Sequence, residues 1–119
     1  MKKENVVREK SFRFAVRAIR LYQYICDGQK EYVLSKQMLR SGTSVGANVR
    51  EADNAESKAD FIHKMGVAQK ETDETLYWLE LMKETGYLAE KEFTSMHADA
   101  DKLLKIIRTI ILNTKSNLK

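Results

Sequence analysis

Residues 37–78, QMLRSGTSVGANVREADNAESKADFIHKMGVAQKETDETLYW, decide how this chain folds. Wound as a helix, their first half places Met38, Gly42, Val45, Val49 and Ala52 at steps of four and three, which is one stripe. The stripe is thin. Gly42 and Gly46 stand four apart on one side, with Ser41 beside Gly42, so another backbone can approach where a leucine would hold it off. A glycine inside an exposed helix costs about 1 kcal/mol against alanine, so two within little more than one turn need a return in packing. Ser41, Gly42, Val45, Gly46 and Val49 are therefore read as a close helix contact. A phosphate-cradling loop is the competing reading of so many small residues. It lacks GxxxxGK[ST], GxGxxG and any preceding apolar strand to aim it.

Working outward, the chain has 119 residues, no proline and five glycines, which suits one domain of long helices. No apolar run approaches membrane-spanning length, and MKKENVVREK has no apolar core of a signal peptide, so the expectation is a soluble, cytoplasmic protein without a membrane partner. The single cysteine, Cys26, has no partner for an internal disulfide and reads as a small buried residue.

The net charge of +4 is unevenly spread. Residues 1–40 carry ten Lys or Arg against four acids, residues 41–80 four against eight, and the remainder seven against five. Segregation of this kind points to an acidic partner, either nucleic acid or an acidic protein surface.

Four helices follow from the periodicity, at about 8–26, 32–54, 58–85 and 90–114: an all-α, up-and-down antiparallel four-helix bundle in a single domain, 1–119. The first starts between Asn5 and Ser11 and is broken by Asp27-Gly28. Its apolar face is Phe12, Ala15, Val16, Ile19 and Tyr22, widened by Phe14, Ala18, Leu21 and Ile25. Lys10, Arg13, Arg17 and Arg20 form a basic stripe on another side, about 15 Å long at 1.5 Å per residue, with Tyr24 continuing its line. A helix must put something polar outward, so a solvated face is the competing reading; against it, no acid interrupts the stripe, and three of its four members are arginine, which suits bidentate phosphate contact.

On the second helix Lys36, Arg40, Thr43, Ala47 and Arg50 share an outer face, which extends the basic surface if it lies beside the first helix. Asn48 and Glu51 lie near the thin stripe, either as a buried network that sets register or facing water. Ser57 and Asp60 make a variant capping box that starts the third helix, and Gly86 stops it. Phe61, Met65, Ala68, Thr72, Thr75, Leu79 and Met82 form its core stripe, and Glu71, Asp73, Glu74 and Glu80 make it the acidic helix. The fourth helix runs Phe93, Met96, Ala100, Leu103, Ile107 and Ile110, widened by Leu104 and Ile111. So wide a stripe is expected to be buried against several neighbours, including another subunit. The tail from Lys115 to Lys119 is expected to fray.

Candidate chemistry is sparse. Asp60 and His63 are three apart, but a carboxylate-bundle metal site needs two Glu-x-x-His pairs and further carboxylates, and His97 supplies no second pair. With two histidines, one cysteine and no paired carboxylates beside a positioned partner, no catalytic residue, metal ligand or cofactor is assigned.

The run from Gln37 to Ala52, with Ala55-Glu56-Ser57, Asp60-Phe61, Ala68, Lys70-Glu71 and Glu74-Thr75-Leu76-Tyr77-Trp78-Leu79, resembles the bacterial four-helix-bundle family first noticed as proteins encoded in intervening sequences of large-subunit ribosomal RNA genes. The resemblance covers almost the whole chain. It implies a homo-oligomer. Members of that family are in turn similar to the accessory protein of diversity-generating retroelements, a barrel-shaped homopentamer with a basic surface that associates with nucleic acid and a reverse transcriptase. The expectation is thus a non-enzymatic homo-oligomer, by resemblance a pentamer, that binds structured RNA or DNA through Lys10, Arg13, Arg17, Arg20, Lys36, Arg40 and Arg50. The alternative is an adaptor whose basic face docks an acidic protein.

Overall fold

A computed structural model describes residues 3–117, with side chains from residue 6 onward. Helices α1 (Lys3–Gln29), α2 (Leu34–Asp53), α3 (Lys58–Glu84) and α4 (Glu90–Ser116) account for nearly all of them, and no strand occurs among the described residues. Each helix packs against its neighbours in chain order and α1 closes the ring on α4, with no diagonal pair. Short connections between long helices make consecutive ones antiparallel, and the bundle measures 50 × 23 × 21 Å.

Local chemistry sets the ends. Asp27-Gly28 does not break α1, which passes through both and already includes Lys3. The chain turns instead at Lys30, whose φ of 56° is left-handed, and at Glu31. The N-cap of α2, Val33, offers no side-chain acceptor, and Glu31 supplies one from outside the helix. Its carboxylate accepts the backbone N–H groups of Val33, Leu34 and Ser35 at 2.7, 2.9 and 2.8 Å, and its carbonyl accepts the Ser35 hydroxyl at 2.7 Å. Three otherwise orphaned donors at the positive end of a helix dipole are thereby satisfied, which is why α2 starts at Leu34 rather than at Tyr32. The half-buried Cys26 thiol donates to the same Glu31 carbonyl at 3.7 Å.

At α3, Ser57 Oγ accepts from Asp60 N at 3.0 Å while Asp60 Oδ2 accepts from Glu56 N at 3.3 Å. The helix ends in a Schellman motif, with Gly86 at φ +84°, Gly86 N donating to Lys83 O and Tyr87 N donating to Met82 O. Lys115 and Ser116, expected to fray, belong to α4, which ends at Ser116, and Leu118 and Lys119 lie outside the described residues.

The core is built from Met38, Val45, Val49 and Ala52 of α2, Met65, Ala68, Leu76, Leu79 and Met82 of α3, and Met96, Ala100, Leu103, Leu104, Ile107, Ile110 and Ile111 of α4. On α1 the inward face differs from the expected one. Val7, Ser11, Phe14, Ala18, Leu21 and Ile25 point inward, whereas Phe12, Val16 and Ile19 remain 55, 40 and 42 % exposed. Size explains the choice. A β-carbon on Gly42 would lie 3.0 Å from Ala18 Cβ, and one on Gly46 would lie 3.3 Å from the Ser11 carbonyl oxygen. Backbones this close accept Ser11 and Ala18 between them, and exclude Phe12 and Ile19.

The interior polar contact also differs from the expected pair. Asn48 bonds to Ser44 O of its own helix at 2.9 Å, and Glu51 is exposed and paired with Lys64 of α3 at 3.0 Å. Across the α2–α3 contact it is Thr75 Oγ1 and Ser41 Oγ, both buried, that meet at 2.8 Å. No buried side-chain nitrogen or oxygen among the described residues lacks a partner.

Candidate nucleic-acid interface

The basic stripe of α1 lies on its α4-facing side, and it has two acidic partners, one from its own helix and one that only the fold brings near. Arg13 Nε donates to Glu9 Oε1 at 3.1 Å, one turn back. Arg17 reaches across to α4, where its guanidinium pairs with Asp99 and donates to Ser95 Oγ at 2.9 Å. The stripe is therefore interrupted by acids after all, one of them 82 residues away in sequence. Arg17 acts as a latch between α1 and α4. Arg20 remains exposed and borders a groove with Tyr24, Glu92 and Met96, while Lys10 borders another with Asp99 and Lys102.

The α2 candidates do not join this line. Arg50 stacks its guanidinium 5.5 Å from the Phe12 ring centroid, on the side of α1 that faces α2. Arg40 lies toward α3: burial pushes the Glu71 carboxyl above its usual range, Glu74 adds to this, and Lys70, Arg40 and the Ser44 hydroxyl draw it part of the way back. Lys36 is exposed, with no ion pair among the described residues. The seven cations thus do not form one surface: Lys10, Arg13, Arg17 and Arg20 border the α1–α4 seam, Arg50 lies against Phe12 and Arg40 toward α3.

Three concavities run along the α1–α4 seam, and together they are lined by the cations Lys10, Arg13, Arg17, Arg20 and Lys102 and the acids Glu9, Glu92 and Asp99. Five positive charges against three negative leave an excess, and the concave shape concentrates its field. Beside the seam runs the outward ridge of Phe12, Val16 and Ile19, while Tyr24, 63 % exposed, stands in line with the cations. Lys102, Asp99 and Ser95 were not legible as members of this site, because only the closing of the ring brings α4 to α1. The ridge was legible as apolar residues but was assigned inward.

Among the described residues no group of three or more His, Cys, Asp or Glu is placed to share a metal ion, and no helix is long and apolar enough to cross a membrane. His97 Nε2 stands 3.4 Å from Glu80 Oε2, tying α4 to α3, and His63 is exposed.

The profile of the 23S rRNA-intervening sequence protein family matches residues 3–109, from the start of α1 to the last turns of α4. The chain belongs to this family. A solved structure from Bacteroides thetaiotaomicron, described as a protein of unknown function from the S23 ribosomal protein family, is 50 % identical and superimposes with a TM-score of 0.91 over 92 % of this chain and 98 % of its own. No curated protein matches the sequence. The chain thus shares its four-helix frame with that relative over 92 % of its length. Neither the family nor the relative is described by a catalytic activity.

Proposed function

We propose that this chain is a non-enzymatic, self-associating scaffold that binds the phosphate backbone of structured RNA or DNA along its α1–α4 side. The observation that carries the reading is the excess of cations on that seam, with Lys10, Arg13 and Arg20 exposed on one helix face. Contacts of this kind attract phosphates whatever the base sequence, and the release of counterions makes them fall steeply with salt. Self-association is supported by the ridge of Phe12, Val16 and Ile19, large apolar groups side by side on an outer helix face. By resemblance the assembly is a pentamer, and a nucleic-acid enzyme such as a reverse transcriptase is the partner expected to share its nucleic acid.

The second reading, an adaptor for an acidic protein, is favoured by the way the ridge runs beside the cations, since a protein partner would use both. Anisotropy of a labelled RNA hairpin and a matched DNA duplex, titrated at several salt concentrations, separates the two. Binding that weakens steeply with salt, and persists after Phe12→Ser and Ile19→Ser, supports the nucleic-acid reading. No binding to either probe at low salt overturns it in favour of the adaptor.

A further inference from the structure

The geometry points to a discrete seat for one phosphate group at the α1–α4 seam, formed by Lys10 and Arg13 of α1 and Lys102 of α4 over a floor of Phe14 and Leu103. The inference rests on the nucleic-acid reading and narrows it from a charged side to a point.

Of the three concavities along the seam this is the most enclosed, with a volume of about 120 Å³, enough to hold water or a small anion. Its floor is apolar, since Phe14 and Leu103 are almost completely buried. Charges above such a floor are screened less than charges on a fully wetted surface, so the same cations act more strongly on an anion held there. Asp99 is the one carboxylate in the lining, and the Arg17 guanidinium already engages it.

Pairing around the seat is uneven in an informative way. Arg13 has Glu9, Arg17 has Asp99, and Lys105 has Asp101 at 3.0 Å. Lys10 and Lys102 have no such partner among the described residues, although they come from different helices and border the same hollow. Two like charges brought together by the fold repel unless an anion lies between them. A phosphate oxygen is suited to that place: the two ammonium groups can each donate to it, and Arg13 can turn from the exposed Glu9 to add a two-pronged contact. Arg17 is then a positioning residue, holding α4 at the distance that lets Lys102 face Lys10.

The seat accepts the phosphate of a nucleic-acid backbone or a free phosphate, and the test distinguishes the sources. Affinity for a fluorescein-labelled RNA hairpin is measured for the full chain, for Lys10→Glu/Lys102→Glu, and for Lys36→Glu/Arg40→Glu, which changes the net charge equally away from the seam. Circular dichroism checks that each variant stays helical. The expected result is at least a tenfold greater loss for the seam pair than for the α2 pair, with affinity regained in Lys10→Arg/Lys102→Arg. Lys10→Ala/Lys102→Ala should also lower the slope of log affinity against log salt by about two. Equal losses from the two charge-reversed pairs overturn the seat while leaving nucleic-acid binding intact.

If the unaltered chain binds neither the hairpin nor the matched DNA duplex at low salt, the nucleic-acid reading fails and the seat is decided separately by titrating inorganic pyrophosphate into the isotope-labelled protein. Amide shifts centred on Lys10, Arg13 and Lys102, and absent from Lys10→Ala/Lys102→Ala, retain it as a site for free phosphates. Shifts spread over all basic residues, or none, overturn it.

Discussion

Gly42 of α2 faces Ala18 of α1 so closely that a β-carbon on the glycine would stand 3.0 Å from the alanine's own. Gly46, one turn on, lies against the Ser11 backbone, which has less freedom to move aside than a side chain. Gly46→Leu and Gly42→Leu are each expected to lower the unfolding free energy by about 1–3 kcal/mol or more through overpacking. Gly66 in α3 has nothing within 4 Å of a β-carbon, so Gly66→Ala should stabilise by about 0.5–1 kcal/mol. Urea denaturation of the three variants checks the contrast, and a harmless Gly46→Leu would refute the close contact.

The hydroxyl pair of Ser41 and Thr75 is the buried polar contact between α2 and α3. Each hydroxyl also has a carbonyl of its own helix in reach, Met38 O at 3.3 Å and Glu71 O at 2.8 Å. Thr75→Val and Ser41→Ala should therefore cost about 1 kcal/mol each, and the double variant less than their sum. A double-mutant cycle measures the coupling, and strict additivity would show that the two groups do not interact.

The outward ridge makes a prediction about assembly rather than folding. Phe12 and Ile19 are exposed, so Phe12→Ser/Ile19→Ser should change monomer stability by no more than about 0.5 kcal/mol per site. Under the proposed self-association, sedimentation should show the unaltered chain as an oligomer and the same variant as a monomer. An unaltered assembly would place the subunit contact elsewhere.

Asp99 opposes any anion held by Lys10 and Lys102, so Asp99→Asn should strengthen hairpin binding at low salt several-fold. The Arg17–Asp99 pair is more than one-third exposed on both sides, so losing it should cost the bundle no more than about 1 kcal/mol. Arg17→Ala alone should weaken binding more than Arg17→Ala/Asp99→Asn, because the single change leaves Asp99 uncompensated. Anisotropy on the three proteins gives that order, and the reverse order would contradict compensation of Asp99 by Arg17.

Two acids report on pH with opposite signs. Burial acts to raise the Glu31 carboxyl, but the N–H groups of Leu34, Ser35 and Val33, with the Ser35 hydroxyl, outweigh it and hold it below its ordinary value of 4.5. Its contribution is therefore complete above about pH 4.5 and is lost as pH falls through the lower folded value. Glu71 is held above 4.5, so its charged form opposes folding at neutral pH, and that opposition is relieved as pH falls through its raised value toward 4.5. Glu31→Gln should flatten the stability loss below pH 4.5 and cost about 0.5–2 kcal/mol at neutral pH, as loss of a helix cap does. Chemical denaturation from pH 3 to 7 tests both, and an unchanged acid limb in Glu31→Gln would remove Glu31 from the account.

What the sequence determined by itself is what depends on neighbours a few residues apart. The stripes of α2, α3 and α4, the Ser57–Asp60 start and the Gly86 stop are local, because helix periodicity and capping act over three or four positions. Asp27-Gly28 misled for a related reason: glycine permits a break without requiring one, and the turn was taken at Lys30 where Glu31 could collect three donors. The inward face of α1 was a matter for the tertiary structure, since that helix carries apolar residues on two sides. Only the closeness of Gly42 and Gly46 to Ala18 and Ser11 selected between them. The same holds for the charges: Arg17 is one cation of a stripe until ring closure brings Asp99 beside it, and Lys102 joins Lys10 only because α4 returns alongside α1. Electrostatic partners are chosen by distance in space, and across 82 residues of chain nothing but the packed core sets that distance.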